Sequence, residues 1–210
     1  MIVLVAAAAN EEVSQLADEL GGPERVVLLT SQPPPRLTSG ISILDVDLMS
    51  AVGTSEAWRL LEETHGPADA LVVAPAPATT TGTRVADVSD AFWSSAMAGL
   101  TVAMHAARAA VGPMMRRGRG RITFVTWRID DPEGQVPLAT VSGAIIQLAR
   151  ALATELGTSG VTANAISVAP GRLASVAPVV RFLGSAASGY LTAEVISVGG
   201  TKAASSWWNG

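Results

Sequence analysis

The sequence predicts an α/β fold in which a doubly wound, mostly parallel sheet carries helices on both faces. Short apolar runs alternate along the chain with longer amphipathic segments, and this alternation is typical of repeated β-α-β units. The chain has 210 residues, so we expect residues 1–210 to form a single domain. Residues 2–6 have the pattern of a buried strand. Residues 11–20 follow with Val13, Leu16 and Leu20 at helical spacing.

The other elements continue this alternation. A Gly-Gly-Pro run at 21–23 ends the first helix, and the Gly-Pro pair at 66–67 ends the second. Three prolines at 33–35 exclude a central strand at that point. We predict a polar loop at 79–83 and strands at 2–6, 26–29, 41–46, 70–74, 121–127, 161–168 and 194–198. Helices are predicted at 11–20, 52–64, 87–111, 138–156 and 177–183.

The composition excludes several classes of protein. A net charge of −4 argues against a basic nucleic-acid binder. The chain has no cysteine and two histidines, so thiolate and three-histidine metal sites are excluded, and we expect no metal. Charged residues are only 15% of the total and the mean hydropathy is +0.37, which suggests that other subunits cover part of the surface. The apolar runs are shorter than the ~20 residues of a membrane span, and no signal segment is visible, so we expect a cytoplasmic protein.

Six segments, in this order, resemble the short-chain dehydrogenase/reductase family. They are Asp45-Val46-Asp47, HGPADALVV from His65, Pro113-Met114 followed by RRGRGRITFV, ALATELGTSG from Ala151, Ala169-Pro170-Gly171 and TAEVISVGGT from Thr192. The resemblance covers nearly the whole chain and implies a Rossmann-like fold. The family's activity would be hydride transfer with a nicotinamide cofactor.

The segments that bind the cofactor in that family are altered. Its TGxxxGxG turn places a pyrophosphate on a helix N-terminus, and the three glycine positions fall here on Ala7, Glu11 and Val13. Glu11 and Glu12 suit the dipole of an ordinary helix but would repel a diphosphate. The second strand lacks the usual ribose-binding acid, and Val73-Ala74-Pro75-Ala76 replaces the family's NNAG. We therefore expect no bound cofactor.

The family's catalytic group is missing as well. The position of its asparagine falls near Gly99, and that of its serine falls on Trp127 or Thr126. The YxxxK pair falls on Leu138 and Ser142 if the alignment follows the next helix, or on Thr140 and Ala144 if it follows the preceding strand. The only tyrosine and the only lysine, Tyr190 and Lys202, are twelve residues apart, so no YxxxK pair exists in any alignment.

The sequence also lacks the segment that forms the substrate lid in the family. Relatives carry a long insertion after the Pro-Gly turn, whereas only residues 172–176 separate Gly171 from the next predicted helix. Without a lid, the chain would have no device there to exclude water from a substrate.

Other polar and aromatic residues leave alternatives open. His105 is either a hydrogen-bonded packing residue or a base. The cluster of Arg116, Arg117, Arg119 and Arg121 is either a solvated turn or an anion site. Arg128, Asp130, Asp131 and Glu133 form either a surface loop or a new polar site. Trp207 and Trp208 pack either on the chain's own sheet or in a neighbouring subunit.

Three functional hypotheses follow. The first is a non-catalytic member of the family, structural or regulatory, in a homo- or hetero-oligomer beside a catalytically complete relative. Its interface would be helices 87–111 and 138–156, with no nucleic acid and no membrane as partners. The second is a non-redox enzyme similar to the halohydrin dehalogenases, a lyase or isomerase using Thr126, Arg128, Asp130 or His105. Those dehalogenases keep a Ser-Tyr-Arg group, however, and this chain has no tyrosine to match. An active nicotinamide-dependent reductase is a third, less favoured hypothesis.

Overall fold

The structure is a computed structural model that describes residues 1–22, 24–34, 40–74, 84–129 and 135–199. Its seven strands form one parallel sheet in the order β3-β2-β1-β4-β5-β6-β7, which confirms the predicted fold class. The strands are β1 (Ile2–Ala6), β2 (Val26–Thr30), β3 (Ser42–Asp45), β4 (Ala70–Val73), β5 (Gly120–Trp127), β6 (Val161–Val168) and β7 (Val195–Val198). The helices are α1 (Glu11–Gly21), α2 (Ala51–His65), α3 (Asp90–Arg117), α4 (Val136–Leu156) and α5 (Ala177–Gly184).

Helices cover both faces of the sheet and enclose two cores. Helices α2, α3 and α4 pack on one face, where Trp58 and Met114 are fully buried. Helices α1 and α5 pack on the other face, around Leu16 and Val180. The central strands are buried on both faces and therefore read as continuous apolar runs in the sequence.

The long third helix differs from its predicted bounds of 87–111. It begins at Asp90, because the Ser89 side chain accepts a hydrogen bond from the Phe92 amide (3.2 Å) and so caps the helix. It also continues through Pro113 to Arg117. Gly118 ends it, at φ +65°, with its amide bonded to the carbonyl of Met114. Proline removes one backbone hydrogen bond, and burial of Met114 just beyond it outweighs that loss.

Helix α4 is the core helix of one face. It is two residues longer at its start than the predicted 138–156, with Pro137 in its first turn. Ile145, Leu152 and Leu156 are buried and Leu148 is partly buried, so the predicted apolar stripe packs inward. By length and composition α4 could cross a membrane; in this fold its apolar stripe packs on β5 and β6.

Candidate functional site

The residues assigned from the sequence to the family's cofactor and catalytic positions lie around the carboxyl ends of the strands. In open parallel sheets this edge is where ligands bind, because the loops after several strands meet there. Ala7 follows β1, Trp127 ends β5, and Ser142 lies in the second turn of α4, after the loop from β5. The structure thus brings the predicted positions to one edge of the sheet, on different elements.

The amino end of α1, which follows β1, is capped by a side chain of the protein itself. The Asn10 side-chain oxygen accepts a hydrogen bond from the Val13 amide (3.0 Å), and the Asn10 carbonyl accepts one from the Ser14 amide (2.9 Å). In dinucleotide-binding relatives, free amides at this helix start hold phosphate. Sequence reasoning expected a capped helix but did not identify Asn10, although asparagine directly before an apolar helical pattern is a standard signal.

Val13 occupies the third glycine position of the family's turn. Its side chain is only 2% exposed and packs in the core between α1 and the sheet. The third glycine of the family's turn permits close helix–strand packing, and here a valine side chain occupies that space. The steric effect of Val13 therefore lies inside the core.

Two carboxylates follow the cap. Glu11 is exposed and approaches the Gln15 side-chain amide (3.5 Å). Glu12 is partly buried, and one of its carboxylate oxygens is shielded from solvent without a hydrogen-bond partner in the described part of the chain. Both lie in the first turn, where the helix dipole favours negative charge and where a diphosphate would otherwise sit.

The two alternative catalytic registers are distinguished by burial. Ser142 is 6% exposed, and its hydroxyl has no hydrogen-bond partner among the described residues. Thr140 is exposed and its hydroxyl donates to the carbonyl of Val136 (2.8 Å) within the helix. Ser142 therefore faces inward and Thr140 faces solvent, whereas Leu138 and Ala144 are both partly buried.

Thr126 and Trp127 face opposite sides of the sheet because side chains alternate along a strand. Trp127 is 3% exposed and packs in the core beneath α1 and α5. Thr126 is 1% exposed and shares the other face with Phe124, beneath α3 and α4. Of the two positions considered for the family's serine, Thr126 is the one on the α4 side. Gly99 lies in α3 and is partly buried.

The only tyrosine is far from these positions. Tyr190 is 79% exposed, in the loop before β7. That loop is fixed to the amino half of β6, since Asn164 donates to the Leu191 carbonyl (3.0 Å) and Ala193 donates to the Ala163 carbonyl (2.8 Å). Trp127 pairs with Val168, five residues beyond Ala163 and so about 16 Å further along the strand.

The segment after β6 is short and packed, as expected from the sequence. Gly171 adopts φ +77°, and a 3₁₀ turn, Leu173–Val176, leads directly into α5. Leu173 and Val176 are buried against α1, in the same core as Val13. These residues contribute to the core on this face of the sheet, and they extend no lid over it.

The remaining polar candidates have varied surroundings. His105 Nδ1 lies 3.0 Å from the Leu48 carbonyl, so this ring is a hydrogen-bonded packing residue between α3 and the start of α2. The arginine cluster is not simply a solvated turn, because Arg117 is 22% exposed and pairs with Glu62 (2.9 Å). Arg128 donates to the Val198 carbonyl (3.5 Å). Asp130, Asp131, Glu133, Lys202, Trp207, Trp208 and the predicted loop at 79–83 lie outside the described residues.

No metal centre is apparent in the described ranges. Among those residues, no group of three or more histidine, aspartate or glutamate side chains is placed to hold a metal ion.

Comparison with known proteins defines the family. The family model described as Enoyl-(Acyl carrier protein) reductase matches residues 34–173, two thirds of the chain. The Short-chain reductase protein NovJ of Streptomyces niveus is 35% identical over 128 residues, covering 44% of this chain and 49% of that protein. The chain thus spans about half the length of that curated relative.

Solved structures share the fold. A short-chain type dehydrogenase/reductase from Mycobacterium ulcerans superposes with a TM-score of 0.79 at 18% identity, covering 94% of this chain and 87% of that one. The structure of gox2181 gives a TM-score of 0.79 at 18% identity, covering 94% and 93%. The fold and the sequence match together show that the chain belongs to the short-chain dehydrogenase/reductase family.

Proposed function

We propose that this family member is a non-catalytic subunit with a structural or regulatory role in a cytoplasmic oligomer. The observation that carries the proposal is the position of Tyr190. In the family, a tyrosine moves the proton and a lysine four residues later lowers its pKa. The only tyrosine here is on a loop fixed near Ala163, away from the edge where Thr126 and Ser142 lie. Ser142 and Leu138 can supply neither a phenol nor an ammonium group.

The residues of the first turn do not fit a nicotinamide dinucleotide. The Asn10 side chain already accepts the Val13 amide hydrogen that a phosphate would take. Glu11 and Glu12 add negative charge where the diphosphate charge would lie. Val13 fills the space that a glycine leaves for close packing of α1 on the sheet. We therefore derive no catalytic step through this cofactor.

The outer surface of α3 and α4 supports an oligomer. Trp93, Met104 and Met115 on α3 are 40–46% exposed, although the inner face of the same helix is packed on the sheet. On α4, the outward residues Gly143, Ala151 and Thr154 are small, beside the exposed Arg150 and Glu155, and their size allows close approach of another helix. A partner surface would remove this apolar area from water. Family members commonly assemble through these two helices, and a catalytically complete relative is the partner we propose.

Identification of the proteins that co-purify with the tagged chain from its native host tests this proposal. A complete short-chain reductase in fixed stoichiometry, whose activity falls when this chain is removed, is the expected result. A pure homo-oligomer that turns over a substrate without added nicotinamide cofactor would contradict it.

One observation favours the second candidate, a non-redox lyase or isomerase. Ser142 retains a buried hydroxyl without a hydrogen-bond partner, on the sheet face that also carries Thr126. A buried hydroxyl left unsatisfied is costly, and such groups often serve a ligand. If this candidate is correct, Ser142→Ala abolishes turnover by the homo-oligomer. Under our proposal, the same variant assembles with its partner normally.

A further inference from the structure

The amino edge of the sheet, opposite the family's ligand edge, contains an open cavity of about 320 Å³. Its walls come from the first residues of three neighbouring strands and from the end of α5. Ile2 of β1, Ala70 of β4 and Gly120 of β5 form the floor, and Gly184 and Ser185 form one side. None of the residues at the family's cofactor and catalytic positions lies here, so the cavity is separate from the site described above.

Three guanidinium groups from three elements line this cavity: Arg119 before β5, Arg121 within β5 and Arg181 on α5. Two carboxylates line it as well. Asp69 pairs with Arg119 (3.4 Å) and with the amino group of Met1 (2.8 Å). Glu24 is on the exposed rim. The three arginines therefore exceed the two carboxylates, in a chain whose net charge is −4.

Arg121 and Arg181 form no ion pair within the described part of the chain. Arg121 donates to three backbone carbonyls, those of Ser185 (3.4 Å), Gly120 (2.9 Å) and Gly160 (3.1 Å), through Nε and Nη1. Arg181 donates through Nη1 to the carbonyl of Glu19. These bonds hold both side chains in place, and a carbonyl dipole offsets only part of a full positive charge.

Among the described residues, no acceptor bonds to the Nη2 group of either arginine. Both Nη2 groups can therefore donate to a ligand. Gly189 lies close to the Arg121 Nη2, since a Cβ at Gly189 would be 3.2 Å from that nitrogen. Fixed guanidinium forks suit the paired oxygens of phosphate and carboxylate groups. Because the arginines are already ordered, a ligand would lose little side-chain entropy on binding.

We propose that this cavity binds a small oxyanion, the phosphate or carboxylate group of a small molecule, between Arg121 and Arg181. The volume holds such a group together with a few further atoms. The site does not depend on the proposed non-catalytic role, because it uses none of the same residues.

Backbone amide NMR of the full chain, titrated with inorganic phosphate and separately with malonate, tests the site. Ionic strength is held constant with sodium chloride, since salt screens exposed charges. We expect saturable shifts in residues 119–121 and 181–186 with at least one of the two anions. The tighter binder indicates whether the natural group is a phosphate or a carboxylate.

Two variants that are expected to change the affinity in opposite directions make the test specific. Arg181→Gln is expected to weaken binding at least tenfold, and Glu24→Gln, which removes a rim carboxylate, to strengthen it several-fold. The matched control is Arg116→Gln, because Arg116 is exposed and does not line this cavity. Shifts that never saturate with either anion, or equal affinity in Arg181→Gln and the unmodified chain, would overturn the proposal. If Arg181→Gln does not fold, an unchanged affinity in Glu24→Gln has the same consequence.

Discussion

Glu62 on α2 and Arg117 on α3 form a partly buried ion pair, with 2.9 Å between Oε1 and Nη1. Glu62 also accepts the amide of Ala68 (3.2 Å), and Arg117 Nη2 donates to the Ala68 carbonyl (2.6 Å). The pair therefore holds the turn before β4 against the last turn of α3. About a fifth of each side chain is exposed, so solvent screens this interaction less than it screens a surface pair.

Glu62→Gln should lower the free energy of unfolding by about 1–3 kcal/mol. The amide keeps an acceptor oxygen but leaves the Arg117 charge without its carboxylate, in a site where Arg117 Nε already lacks a partner. Urea unfolding followed by circular dichroism measures the change.

Glu63→Gln on the same helix is the control. Glu63 pairs with Arg59 (2.6 Å), and its hydrogen bond and charge raise the pKa of Arg59, but both side chains are more than half exposed. The unfolding midpoint should not change measurably. Equal effects of the two variants would show that burial of the Glu62 pair has no energetic consequence.

Most of the sheet was predictable from the sequence because its strands are buried on both faces. The runs at 2–6 and 161–168 match the observed strands at both ends. The long third helix was less predictable. It was predicted to end at residue 111, whereas the observed helix continues to Arg117, with Met114 buried in the core.

The sequence predicted which residues stand at the family's cofactor and catalytic positions. It did not predict the contacts that these residues make. Sequence alignment located Val13 and Ser142, but only packing shows that Val13 points into the core and that the Ser142 hydroxyl has no partner. The cavity beside Arg121 and Arg181 was not predictable, because the two residues are 60 positions apart and meet only through the crossover from β6 to α5.

Ala193→Gly should stabilise the protein by about 0.5–1 kcal/mol. Ala193 is the only described residue other than glycine with positive φ (+65°), and its amide is bonded to the Ala163 carbonyl (2.8 Å), so the loop cannot relax. The left-handed conformation costs an alanine about 1–2 kcal/mol. Glycine also has greater conformational freedom in the unfolded chain, and this entropy offsets part of the stabilisation.

Thermal unfolding of Ala193→Gly is best compared with that of Ala187→Gly. Ala187 is exposed in a nearby 3₁₀ turn and has no positive φ, so glycine there should lower the melting temperature. A fall in both variants would show that Ala193 is not strained.

The isolated chain should not bind NAD or NADP measurably. The Asn10 cap, the carboxylates of Glu11 and Glu12 and the packing of Val13 all oppose a diphosphate at α1. Titration calorimetry is the measurement, and micromolar affinity, near −8 kcal/mol, would contradict the prediction.

Glycine at the three family positions should not restore cofactor binding. The variant Ala7→Gly, Glu11→Gly, Val13→Gly still lacks the ribose-binding acid and the tyrosine and lysine of the family. Val13→Gly also removes a buried side chain, which should cost about 2–4 kcal/mol of stability. Calorimetric binding by the triple variant would show that the glycine turn alone controls cofactor affinity.

Ala151→Glu should split the proposed oligomer while the subunit stays folded. Ala151 is on the outer side of α4, exposed in the single chain, so the change adds no strain to the core formed by Leu152 and Leu156. Inside a helix–helix interface, the new carboxylate would be buried without a partner, at a cost of several kcal/mol. Ala144→Glu should act in the same direction, with a larger loss of subunit stability because Ala144 is already partly buried.

Light scattering gives the mass of the assembly, and circular dichroism reports whether the subunit is folded. The control is Gln15→Glu on α1, which adds the same charge on the opposite side of the sheet and should leave the mass unchanged. A folded monomer for the unmodified chain at micromolar concentration would remove the interface on α3 and α4, and with it the main support for a subunit role.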